Sequence, residues 1–157
     1  REKQEFFFRE QLRIARDFEL PVLMHVRRSQ DQVLKHVRQI RQVGGIAHAF
    51  NGSFQQAKTF IDLGFRLGFG GAMTFTRALQ IRRLAATLPL ESIVLETDAP
   101  DISPAWIHPA RNSPEYLPSI GAALAELRGM HIDDIRSATM ASAIAAMPRL
   151  SAILAPA

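Results

Sequence analysis

Short apolar runs alternate with amphipathic ones along this chain, and that alternation limits the fold more than any other feature. "LPVLMHVR", "GIAHAF", "FRLGFGG" and "SIVLETD" each carry a near-continuous apolar stretch of strand length. Such runs suit strands covered on both faces of a parallel sheet. Pro21 can open a strand but not sit inside a central one, so the first strand is predicted over residues 22–26. Ser29 then serves as an N-cap, and Val33, Val37, Ile40 and Val43 recur at helical spacing until Gly44 and Gly45. This predicts a helix over residues 30–43. Ser53 caps a second helix, residues 54–63, which Gly64 stops. A third, residues 76–88 with Leu79, Ile81, Leu84 and Leu88 apolar, leads into the fourth strand. Ahead of the first strand, residues 5–19 gather Phe7, Phe8, Leu12, Ala15 and Phe18 on one arc and Arg9, Arg13 and Arg16 opposite, an amphipathic helix with a solvated basic face.

Strands alternating with helices imply parallel strands with helices on the sheet's faces. No glycine-rich phosphate fingerprint follows the first strand, which removes the main support for a nucleotide-binding doubly wound fold. The expectation is an α/β chain built as a partial TIM-type (β/α) barrel, about four parallel strands with flanking helices, forming one domain over residues 1–157. After the fourth strand, residues 99–118 hold five prolines, too many for a helix. A connection of that length is expected to be functional or disordered. Two helices follow, over residues 116–128 and 132–154, the second broken at Pro148.

Composition excludes some chemistry. The 157 residues contain no cysteine, so disulfides and thiolate metal sites are ruled out and any metal must be held by His, Asp or Glu. No run of about 18 apolar residues occurs, and "REKQEFFFREQ" is too charged for a secretory signal. The expectation is a soluble, cytoplasmic protein with no membrane partner. A net charge of +4 tolerates a polyanion without demanding one.

In parallel α/β structures the chemistry gathers where strands give way to loops at their carboxyl ends. The first strand supplies His25 there, the second His48 and the fourth Asp98. A single histidine in an apolar run is ordinarily a hydrogen-bonded core residue. Two in equivalent places, with a strand-end carboxylate, point to a divalent cation that acidifies water into a nucleophile. Asp98 suits a ligand or a general base. Glu96, two residues earlier and on the same face, suits either a support that orients a histidine or an arginine, or a structural ion pair. Arg111 and Asn112 in the proline-rich loop are placed to meet a phosphate, or to fix the loop. Arg27 and Arg28 follow the first strand and could attract an acidic substrate. Gly68, Gly70 and Gly71 permit close backbone approach at the end of the third strand or relieve packing. His36 and His131 read as surface residues, and His108 as a loop residue near the mouth.

Taken together, "PVLMHVR", "GIAHAFNGS", "GFGGAMTF", "LETDAPDISP" and "RNSPEYLP", in that order and spacing, resemble the TatD family of metal-dependent deoxyribonucleases. The resemblance implies a (β/α)₈ barrel that binds two divalent ions (Mg, Mn or Zn) and hydrolyses DNA phosphodiesters, several members acting as 3′ exonucleases on single strands or ends. It makes His25 and His48 ligands of one metal, Asp98 a ligand of the other that orients the attacking water, and Arg111 and Asn112 substrate-binding residues. The family's HxH motif and its GEIGLD-like motif with a bridging glutamate are absent, so the resemblance covers strands five to eight. Ser142 stands where the family usually has asparagine. A full barrel needs about 250 residues. An N-terminally truncated chain with weak or incomplete metal binding is therefore expected. Two functions follow: a DNA phosphodiesterase represented by its C-terminal half, or an inactive half-barrel that oligomerises through its open edges or binds nucleic acid.

Overall fold

The computed structural model describes residues 2–41 and 43–154. In chain order the elements are α1 (Glu2–Asp17), β1 (Val22–His25), α2 (Gln30–Gln39), β2 (Gly45–His48), α3 (Phe54–Asp62), β3 (Phe65–Phe69), α4 (Leu79–Thr87), β4 (Ile93–Leu95), α5 (Leu117–Arg128), α6 (Ile132–Ala146) and α7 (Pro148–Leu154). Short 3-10 turns at Gly71–Thr74, Leu90–Ser92 and Pro114–Tyr116 link them. The strands form one parallel sheet in the order β1-β2-β3-β4, as the alternating pattern predicts.

Register and the two-residue strand period sort the side chains. Met24, Ala47, Leu67 and Ile93 pair in one row, and all four are buried against the helices. Phe50, Phe60 and Phe65 meet edge to face beside this row, with centroids 5.8 Å apart in each pair, and Ile120, Leu124 and Ile135 close the core from α5 and α6. The opposite face carries Leu23, Ile46 and Val94. Ala146 of α6 packs on Ile46 and Val94, whereas Leu23 on the edge strand is 71% exposed. The Gly44–Gly45 turn into β2 needs φ of 94° and 148°. A Cβ on Gly45 would stand 2.0 Å from the Val22 carbonyl oxygen, so only glycine lets β1 and β2 start side by side.

The structure corrects several expectations. The first helix starts earlier and ends at Asp17, and of its apolar arc only Leu12 and Ala15 are buried, Phe7 and Phe18 being 53% and 67% exposed. This helix leads into the edge strand, so it lacks a neighbour on one side. The second helix stops at Gln39 rather than residue 43, with the Ile40 amide closing on the His36 carbonyl, which frees the chain to reach the glycine turn. Ser29 occupies the N-cap without a side-chain bond, whereas Ser53 and Gln56 form a reciprocal capping box. α4 begins at Leu79 rather than residue 76, after a separate 3-10 turn at residues 71–74. His36 is buried, not a surface residue: α1 packs over it, setting Phe8 edge-on to its ring and Glu5 at 3.9 Å from Nε2. Ser142 is buried and its hydroxyl lies within hydrogen-bond reach of the Glu91 and Ala138 carbonyls, at 3.0 and 2.9 Å. Serine therefore joins α6 to the turn before β4. Among the described residues no helix is long and apolar enough to cross a membrane.

Candidate active site at the carboxyl ends of the strands

His25 and His48 are direct register partners on neighbouring parallel strands, so the ladder itself sets the two imidazoles side by side. His25 Nδ1 lies 2.8 Å from His48 Nε2, with ring centroids 4.8 Å apart. On its other side, His48 Nδ1 stands 3.9 Å from Asp98 Oδ1. The three side chains thus form a chain, with His48 in the middle.

β4 ends at Leu95, earlier than expected, and the backbone after it explains how Asp98 arrives there. Glu96 still donates its N–H to the Phe69 carbonyl at 3.2 Å, and Asp98 then adopts φ of 56°. Arg28 after β1 and Ala49 after β2 are also in the left-handed region, at 52° and 47°, as is Ile102 at 45°. Non-glycine residues pay for that conformation, a β-branched isoleucine most of all. Four of the five non-glycine residues with positive φ among the described residues thus lie in the loops after β1, β2 and β4, the fifth being Glu19 before β1.

Glu96 restrains one of these points. Its Oε1 accepts the Ala49 N–H in a short hydrogen bond, which ties the β2 loop to β4. Its carboxyl is pushed up to about 7 by burial, with the Ala49 N–H pulling it down and the charge of Asp98 adding to the rise. Room for it comes from Gly68, since a Cβ there would lie 2.1 Å from Oε2. Glycine in "LGFGG" is thus a consequence of the carboxylate opposite it.

Asn112 is placed differently from the expected substrate contact. It is buried, and Nδ2 donates to the carbonyls of Thr97 (2.6 Å), Asp101 (2.7 Å) and Ile102 (3.2 Å), while Oδ1 accepts the Ser113 N–H (2.9 Å). Its amide protons are committed to holding the proline-rich loop over the end of β4. Arg111, one residue before, is exposed on the rim and lines a hollow with Phe75, Arg77 and His108. Arg27 and Arg28 line another hollow with His25 and His48. The sequence pattern did not single out Phe75 or Arg77; an aromatic four residues and a cation six residues beyond Gly71 were the available signal.

Two nitrogens bound to one tetrahedral ion at about 2.05 Å stand about 3.3 Å apart, so the 2.8 Å pair needs to open only slightly to admit one. His25 and His48 fit as two ligands. Among the described residues no group of three or more His, Asp or Glu side chains is arranged to hold a metal.

Imidazoles and carboxylates grouped at the carboxyl ends of parallel strands, under loops that carry cations, define the mouth of a metal-hydrolase-type (β/α) barrel as the class. The chain belongs to the TatD related DNase family, whose model matches residues 1–147. It is 40% identical over 140 residues to the uncharacterized metal-dependent hydrolase YjjV of Escherichia coli K12, an alignment covering 88% of this chain and 54% of that protein. It is 35% identical over 135 residues to the 3'-5' ssDNA/RNA exonuclease TatD of Klebsiella pneumoniae, covering 82% and 51%. The crystal structure of the E. coli YjjV protein superposes with a TM-score of 0.87 at 37% identity, over 94% of this chain and 57% of that one. The chain spans about half the length of these relatives.

Proposed function

We propose that this chain carries the catalytic end of a divalent-metal-dependent hydrolase that cleaves phosphodiester bonds in single-stranded DNA, with RNA as a related substrate. The observation that supports this most is the register pairing of His25 with His48, with Asp98 on the far side of the shared imidazole. His25 Nδ1 and His48 Nε2 would hold one cation, and Asp98 would serve a second. Imidazole ligation favours zinc over magnesium or manganese. When bound, such an ion supplies Lewis acidity toward a phosphoryl oxygen and toward water. Asp98, 3.9 Å from His48 Nδ1, would accept the proton of the attacking water. Glu96 keeps Ala49, and with it the β2 loop, in position. Arg111 offsets phosphate charge. The exonuclease named in Klebsiella agrees with this substrate class.

The test is nucleotide release from an end-labelled single-stranded DNA oligomer, with Zn²⁺, Mn²⁺ or Mg²⁺ and with EDTA, together with calorimetric Zn²⁺ titration. Cleavage is expected to require metal and to fall by about 100-fold or more in Asp98→Asn, and Zn²⁺ binding to disappear in His48→Ala. Equal cutting by wild type and Asp98→Asn, or neither cutting nor Zn²⁺ binding by wild type, overturns the reading.

A further inference from the structure

Three hollows open side by side over the strand ends, and Ile102, 40% exposed and at φ of 45°, lines all of them. One holds the histidines and one holds Glu96 and Asp98. The third, a cavity of about 530 Å³, shares Ala72, Ile81 and Ile102 with the carboxylate hollow and is lined by Arg111 together with Phe75, Arg77 and His108. We propose that it is the subsite for the nucleotide adjoining the scissile phosphate, with the base against Phe75 and His108 and its phosphate between Arg77 and Arg111.

Shape and chemistry both support this. A volume of that size suits a small ligand of nucleotide dimensions. Phe75 and His108 meet edge to face at 5.4 Å and 82°, forming an aromatic corner in which one ring is exposed to solvent. Stacking on such rings is tolerant of base identity, which suits an enzyme that must process any sequence. Two arginines against the single carboxylate of Asp101 leave the lining net positive. The walls are held before any ligand arrives. Thr74 Oγ1 donates to the Gly71 carbonyl at 2.6 Å and accepts the Ala105 N–H at 2.8 Å, and Ser103 Oγ lies 3.3 Å from His108 Nδ1. These bonds fix the turn before α4 to the proline-rich loop, so the subsite is preorganised.

The inference rests on the reading of the site as one that acts on nucleic acid, but its test needs no metal. Fluorescence anisotropy in EDTA would follow a fluorescein-labelled dT hexamer, an abasic hexamer and increasing salt. Wild type is expected to bind the dT hexamer about tenfold more tightly than the abasic one. Phe75→Leu should erase that preference, and so should His108→Ala, with an unchanged thermal midpoint showing that losing the Phe75 and Ser103 contacts leaves the loop folded. Arg77→Gln should reduce the slope of log K against log salt by about 0.7 and leave the base preference intact. Equal binding of the two hexamers by wild type, or wild-type behaviour in both His108→Ala and Arg77→Gln, overturns the subsite. Binding in the expected pattern without metal-dependent cleavage keeps the subsite and removes the hydrolase reading. Cleavage at unchanged KM in both variants does the reverse.

Discussion

Glu96 lies where burial and a neighbouring charge both oppose its ionisation, yet its carboxylate must accept the Ala49 N–H. Its folded pKa of about 7 stands above the ordinary 4.5, so the neutral acid is the form the fold prefers. The stability this contributes is fully present below about pH 4.5 and is lost as pH rises through 7. Thermal unfolding in EDTA should therefore show wild type losing stability, on the order of 3 kcal/mol, between pH 4.5 and 8. Glu96→Gln keeps an acceptor for Ala49 and should flatten that difference. Other groups titrate in the same window, so the quantity to compare is the gap between wild type and variant at each pH. Gly68→Ala probes the same contact from the other strand. Its Cβ would fall 2.1 Å from the carboxylate oxygen and drive Glu96 off Ala49, with an expected cost of about 1–3 kcal/mol in urea unfolding. Unchanged stability in Gly68→Ala would mean the carboxylate has room elsewhere.

Elements in this fold are joined less by their caps than by side chains reaching from a neighbour. Arg128, at the end of α5, donates to the Ala85 and Leu88 carbonyls at 2.7 and 3.0 Å, closing the last turn of α4 where the helix leaves acceptors unsatisfied. Burial lowers its pKa from the usual arginine value while the charge of Glu91 opposes the change. Arg128→Met keeps the packing stem but strands both carbonyls, and about 1–3 kcal/mol of stability should be lost, read from the midpoint of urea unfolding. Contacts of this kind explain what the sequence could show. The strands and their parallel order follow from apolar runs and cap residues, which are local, and so do His25 and His48, since each strand-end position is visible in its own segment. The burial of His36 depends on where α1 lands, and the clasp of Asn112 on carbonyls ten to fifteen residues earlier. Nothing in the local pattern announces either one. The early end of β4 was hidden for the same reason, because the turn at Asp98 answers to the loop above it.

At the scale of the whole molecule, the sheet pairs β1 and β4 on one side only among the described residues, and these two edges are not equally protected. α6 packs against β4. β1 instead presents Leu23, 71% exposed on the face that carries His25, and the chain before it carries the exposed Phe7 of α1 and Phe18. An uncovered strand with apolar neighbours is a template for another strand. Two copies meeting about a two-fold axis would pair β1 with β1 antiparallel, a self-complementary contact that closes on itself. Sedimentation velocity should then show the 17.5 kDa chain passing into a dimer as concentration rises. Leu23→Lys places a charge on the edge and should return it to the monomer without changing its far-UV circular dichroism. A species that stays monomeric across the range would mean that the α1 side chains shield the edge. Dimerisation insensitive to Leu23→Lys would place the contact on another face. The result also bears on the metal site, because His25 lies on that same strand. A partner strand beside β1 would bring new side chains within reach of an ion held by His25 and His48, so Zn²⁺ should bind more tightly to the dimer than to Leu23→Lys.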